Sequence, residues 1–165
     1  MNAISNVEFK RPVWYTMLTL TLGFWLSASL LLDWVILPSM YFSGMMNLDS
    51  FASAGYSIFW NFNRIELLSA GAVLTSILAL SKTQLRWYGG VAALAVALFS
   101  ISLAFTYFLT PQMCATGIDL NLFDSASEFP ASMNMLHGLY WSFEAFKLTA
   151  LGLIFGWCWQ KKGLI

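Results

Sequence analysis

Apolar positions along the chain gather into four long runs separated by short polar stretches. The runs cover about 14–42, 51–80, 85–109 and 133–159. At 1.5 Å per residue, each is long enough to cross a hydrocarbon core of about 30 Å. The pattern predicts an all-α integral membrane protein: a four-helix bundle that forms a single four-span domain over 1–165. Pro111 is expected to end the third helix, and Lys161 and Lys162 the fourth. Lys10 and Arg11 precede the first run, and Ser27-Ala28-Ser29 has the small residues of a signal-peptide cleavage site. The apolar stretch nevertheless continues to Phe42, far beyond a signal core of about 7–15 residues, so an uncleaved helix is expected.

Composition strengthens this reading. Hydrophobic residues make up 59% and charged residues 10% of the 165, against roughly 45–50% and 25% in ordinary soluble chains. The eight Lys and Arg balance the eight Asp and Glu, which excludes a basic nucleic-acid binder and an acidic disordered tail. Where the charges fall is more informative than their sum. Lys10, Arg11, Lys82, Arg86, Lys161 and Lys162 share one side of a four-span chain, and Asp49, Asp119, Asp124 and Glu128 share the other. The positive-inside rule then predicts that both termini are cytoplasmic, in a bacterial inner membrane or a related membrane such as the thylakoid. The aromatic residues fit two interfacial belts, with Trp14, Tyr15, Trp87, Tyr88, Trp157 and Trp159 inside and Tyr41, Tyr56, Trp60, Tyr140 and Trp141 outside.

Small residues predict the packing. Gly138, Ser142, Ala145, Thr149, Gly152 and Gly156 recur at helical spacing along the fourth helix, and Gly90, Ala93, Ala97, Ser100 and Ala104 along the third. In lipid, close backbone approach along such lines drives helix association. The expectation is a tight antiparallel hairpin of helices three and four. The competing use of the same line is contact with a second copy or another membrane protein. The connection 111–132, with Leu120, Leu122, Phe123 and Phe129 among its acids, is either an outer cap or a solvated loop.

Five charged residues fall inside the runs: Asp33, Arg64, Glu66, Glu144 and Lys147. Each would cost about 2.5–3.5 kcal/mol at a bilayer centre if left alone, so pairing is required. Arg64 and Lys147 are expected to face Glu66, Glu144 and Asp33, with Asn61 and Asn63 adding hydrogen bonds. With His137, which shares a helical face with Glu144, they predict an outward-opening polar pocket between helices one, two and four. The alternative is an ion-pair clasp that fixes helix register.

A softer constellation lies at the same end. Met40, Met45, Met46, Met113, Met133 and Met135 surround Cys114 and His137, and thioether, thiolate and imidazole together suit Cu(I). Met45, Met46, Cys114, Met133, Met135 and His137 are the candidate ligands. Met as ordinary apolar filler is the stronger reading. With one His, haem ligation by two histidines of one chain is excluded, while single ligation by His137, or contact of the many aromatics with a pigment, stays open. No hydrolase, phosphate-loop, zinc-protease or dinucleotide motif occurs. Cys114 and Cys158 sit at opposite ends of the expected spans and form no Cys-x-x-Cys pair, which argues against a thiol oxidase.

Gly23-Phe24-Trp25 through Val35-Ile36-Leu37-Pro38, then Phe51-Ala52-Ser53-Ala54-Gly55, Tyr107-Phe108-Leu109-Thr110-Pro111 and Leu136-His137-Gly138 resemble a four-helix membrane family of unknown function, related to the transmembrane protein 205-like group. The resemblance implies four spans and no established reaction. The expectation is therefore a non-enzymatic membrane protein, an accessory or assembly partner of other membrane components, with no resident cofactor. The runner-up is a small transporter or ion-binding protein whose cargo is the proton or Cu(I).

Overall fold

The computed structural model describes residues 3–45, 51–81, 89–123 and 131–161, and they are almost wholly helical. Chain order gives α1 (Ala3–Leu31), a wide π turn (Leu32–Ile36), α2 (Leu37–Phe42), α3 (Phe51–Ser81), α4 (Gly89–Ala104), a second π turn (Phe105–Leu109), α5 (Thr110–Phe123) and α6 (Ala131–Lys161). Among the described residues, three stretches are long and apolar enough to cross a membrane: Val13–Phe42, Ser53–Ser81 and Gly89–Thr116. The 31-residue α6 has the length, but Glu144 and Lys147 interrupt its middle, and it is not among the three.

The two π turns have a common cause. A helical proline lacks an N–H and its ring crowds the carbonyl four residues earlier. Pro38 and Pro111 crowd Trp34 and Tyr107, each inside a π turn. Widening the turn relieves the clash, and the next N–H reaches back five residues, from Leu37 to the Leu32 carbonyl and from Thr110 to the Phe105 carbonyl. The helix then continues. This corrects the expectation that Pro111 ends the third helix: α5 carries the rod on to Phe123, so half of the predicted connection 111–132 is helical. Asp124 and Glu128 lie outside the described residues.

α3 packs along α1 on one side and along α4, the second π turn and α5 on the other. α6 touches α1 and the α4–α5 rod. Asn63 meets Thr110 while Gly71 lies beside Phe99, so α3 and the α4–α5 rod run antiparallel. α1 and α6 are antiparallel too, with Tyr15 donating to the Cys158 carbonyl near one end and Tyr140 meeting Asp33 near the other. The apolar core lies on the Tyr15–Cys158 side, where Leu18, Leu22, Trp25, Val73, Ile77, Leu98, Leu151 and Ile154 are all but fully buried.

The tight hairpin is therefore formed by α3 and α4, the second and third long helices, and not by the third and fourth as expected. Gly138, Ser142, Ala145, Thr149 and Gly152 are exposed and Gly156 is half-exposed. Gly90, Ala93 and Ser100 on α4 are exposed as well. A Cβ added at Gly138, Gly152 or Gly156 would meet nothing within 4 Å. Near Gly152 and Gly156, α4 and α6 are separated by a groove of about 410 Å³, lined by Val91, Leu94 and Trp157. The reason lies on the other face of α6. Leu136, Glu144, Lys147, Leu151, Ile154 and Cys158 form a buried stripe of their own. Charged side chains left against lipid are costly and turn to the bundle interior, where Glu66 pairs with Lys147, so the stripe that carries Glu144 and Lys147 turns inward.

Candidate functional site

The buried ionic group is assembled from three helices at a helical spacing on each. On the first rod Trp25, Ser29 and Asp33 follow one another at intervals of four, which places them on one face. Asn63 and Glu66, three apart, share a face of α3, and Tyr140, Glu144 and Lys147, spaced four and three, share one of α6. Glu66, Glu144 and Lys147 are each 1% exposed and Asp33 is 3% exposed.

Lys147 is the hub. Its Nζ lies 2.5 Å from Glu66 Oε1 and 2.7 Å from Glu144 Oε2, and 5.3 Å from the centre of the Phe105 ring. Glu66 Oε1 also accepts from Trp25 Nε1 and from the Ser29 hydroxyl, both at 2.9 Å. One carboxylate oxygen thus ties α1, α3 and α6 together, a strong arrangement because each bond is charge-assisted. The Tyr140 hydroxyl donates to Asp33 Oδ1 at 3.0 Å, and its ring packs on Phe105 at 5.3 Å. Glu144 differs from the others. It is fully buried and, beside its ion pair with Lys147, accepts no hydrogen bond at either oxygen. Its remaining polar neighbour is the Asp33 carboxyl.

A second polar layer joins α3 to the proline-widened rod. Asn63 Nδ2 donates to Thr110 Oγ1 at 2.7 Å. The Thr106 hydroxyl donates to the Ser102 carbonyl at 2.7 Å and lies 3.4 Å from that of Asn63. Thr106 lies within the second π turn and Thr110 directly follows it, as Asp33 sits within the first. Wide turns of this kind re-aim side chains and recur at functional sites.

The structure thus gathers Asp33, Glu66, Glu144 and Lys147, with Asn63 adjacent, and leaves two expected members outside. Arg64 is exposed, with its guanidinium 3.9 Å from the centre of the Trp60 ring. Only two residues separate it from Glu66, but that is about 200° of helix rotation. His137 is exposed and its Nδ1 lies 3.0 Å from the Met133 carbonyl of its own helix. Asn61 bonds only to the Ser57 carbonyl one turn earlier. Nor do the described polar residues line an outward-opening pocket: they close on one another. Trp25, Ser29 and Tyr140 were missing from the expected set, although their spacing to Asp33 and Glu144 was the available signal.

The candidate soft ligands differ in exposure. Met133 is buried, Met135 and Met45 are exposed, Cys114 is half-buried, and Met46 lies outside the described residues. Among the described residues no group of three His, Cys, Asp or Glu forms a metal cage. No family model, curated protein or solved structure matches the chain.

Proposed function

We propose that the protein is a small, non-enzymatic, multi-pass membrane protein that works by lateral packing, as an accessory or assembly partner of other membrane components. One observation carries this reading: α6 is held by its ionic face while its small-residue face points outward. A helix fixed in this way offers a neighbouring transmembrane helix a line of close backbone approach, which is what drives association in lipid. The charge distribution supports four spans with both termini cytoplasmic, in a bacterial inner membrane or a related membrane. The quoted similarity to the transmembrane protein 205-like group agrees with that layout and names no reaction.

Ala145→Leu with Gly152→Leu tests the reading, because both positions are exposed and a side chain at position 152 displaces nothing. Purified in mild detergent, the native chain is expected to carry a stoichiometric membrane partner or a second copy. The double variant is expected to lose it at unchanged abundance. A native chain that runs as a lone monomer, or a variant that keeps its companion, contradicts the proposal.

A second reading, a small ion-binding or transport protein, rests on the excess of buried carboxyls over ammonium groups at the cluster. Neutral isosteres at Glu66 and Glu144 separate the two. Lost function at normal abundance favours transport, and lowered abundance alone favours a structural clasp.

A further inference from the structure

The buried cluster sets three carboxyls, Asp33, Glu66 and Glu144, against one ammonium, Lys147. Fully ionised, it would hold two excess negative charges where water does not reach. No other described charge faces it. Arg64 lies on the outer side of α3 over Trp60, His137 is exposed on α6, and the α4–α5 rod contributes Phe105, Thr106 and Thr110, which carry no charge. The Tyr140 hydroxyl is the remaining titratable neighbour, and it already donates to Asp33.

Three of the four ionisable side chains have hydrogen-bond partners. Glu66 accepts from Trp25, Ser29 and Lys147; Lys147 bridges both glutamates; Asp33 accepts from Tyr140. Glu144 shares the Lys147 ammonium with Glu66 but has no hydrogen-bond partner of its own, since neither of its fully buried oxygens accepts a hydrogen bond, and its other polar neighbour is another carboxyl. Ionised carboxylates only accept, so two of them in contact repel unless something positive lies between. Lys147 is the one described cation at the cluster and is already divided between the two glutamates, and a buried carboxylate whose oxygens accept no hydrogen bond is among the costliest groups to leave in a fold.

We infer that Asp33 and Glu144 form a proton-binding site, a carboxyl–carboxylate pair that shares one proton between α6 and the first π turn. The proton supplies the donor that Glu144 lacks and removes one of the two excess charges. The remaining one faces the Tyr140 hydroxyl and the Lys147 ammonium. As in other carboxyl dyads, the proton belongs to the pair and not to either residue. The site goes beyond lateral packing, because it makes the attachment of α6 to the first rod depend on a bound proton.

Infrared difference spectroscopy on the full chain in lipid, exchanged between H₂O and D₂O at neutral pH, reads this directly. A deuterium-sensitive carbonyl band from a protonated carboxyl is expected in the native protein. Isotopic labelling of all aspartate carboxyls, or of all glutamate carboxyls, should each shift it. Asp33→Asn and Glu144→Gln, whose amides replace the shared proton with their own N–H donor, should each abolish the band, whereas Arg64→Gln should keep it. The labelling arm needs no variant, so it decides even where a variant fails to fold. Absence of the band in the native protein overturns the inference, and so does a response to only one label or survival of the band in both variants. A partner lost from the small-residue face would leave this spectrum unchanged, so the two proposals fail separately.

Discussion

Lys147 and Arg64 show how little a residue type says about its cost. Both are cations in apolar helices, yet Lys147 is buried between two carboxylates while Arg64 lies on an exposed aromatic ring. Removing one partner of a buried ion pair leaves uncompensated charge and costs about 3–5 kcal/mol. An exposed cation–π contact contributes about 0.5–1 kcal/mol. Lys147→Met is therefore expected to lower folded abundance and thermal stability sharply, and Arg64→Gln to leave both near the native level. Thermal unfolding in detergent measures the difference; equal losses would contradict the assignment. The sequence made the need for pairing plain, because five charges in apolar runs cannot stand alone. It did not reveal the partners. Arg64 and Glu66 look adjacent in the chain, but they point to nearly opposite sides of α3, about 160° apart. Lys147 has Glu144 three residues earlier on its own helix and also reaches across to Glu66 on another.

At the scale of elements, the helices themselves were legible, since long apolar runs admit few alternatives. The expected 51–80 and 133–159 differ from α3 and α6 by only a few residues. The misreading concerned Pro111, where a rule for helix ends met a helix that widens instead. Both prolines are accommodated within otherwise continuous rods, and a wide turn amounts to one extra residue. Deleting Phe108, which is exposed, together with Pro111→Ala is expected to convert the second π turn into ordinary helix. Register would be kept on both sides. Deleting Ala97 within α4 would instead rotate everything beyond it by about 100°, separating Thr110 from Asn63. The first change should retain most of the native melting temperature and the second should not. Comparable losses would mean that the wide turn is not an insertion.

For the whole molecule, the deciding competition is between the two faces of α6. Its small residues form a regular line, and the line alone suggests an internal seam. The opposite face carries Leu151, Ile154 and the Glu144–Lys147 pair, and the pair cannot be left against lipid without a large cost, so the seam turns outward. Period and residue size could be read from the chain; which of two periodic faces would win required knowing that Glu66 and Trp25 waited on the other helices. The ionic face fixes the helix and the small face stays exposed. A leucine scan over Gly138, Ser142, Ala145, Thr149, Gly152 and Gly156, read as folded abundance in the membrane, tests this division most directly. Unchanged abundance at all six positions is the predicted result. A collapse along the line would mean that the small residues pack inside the protein, against the third helix, and would contradict the account.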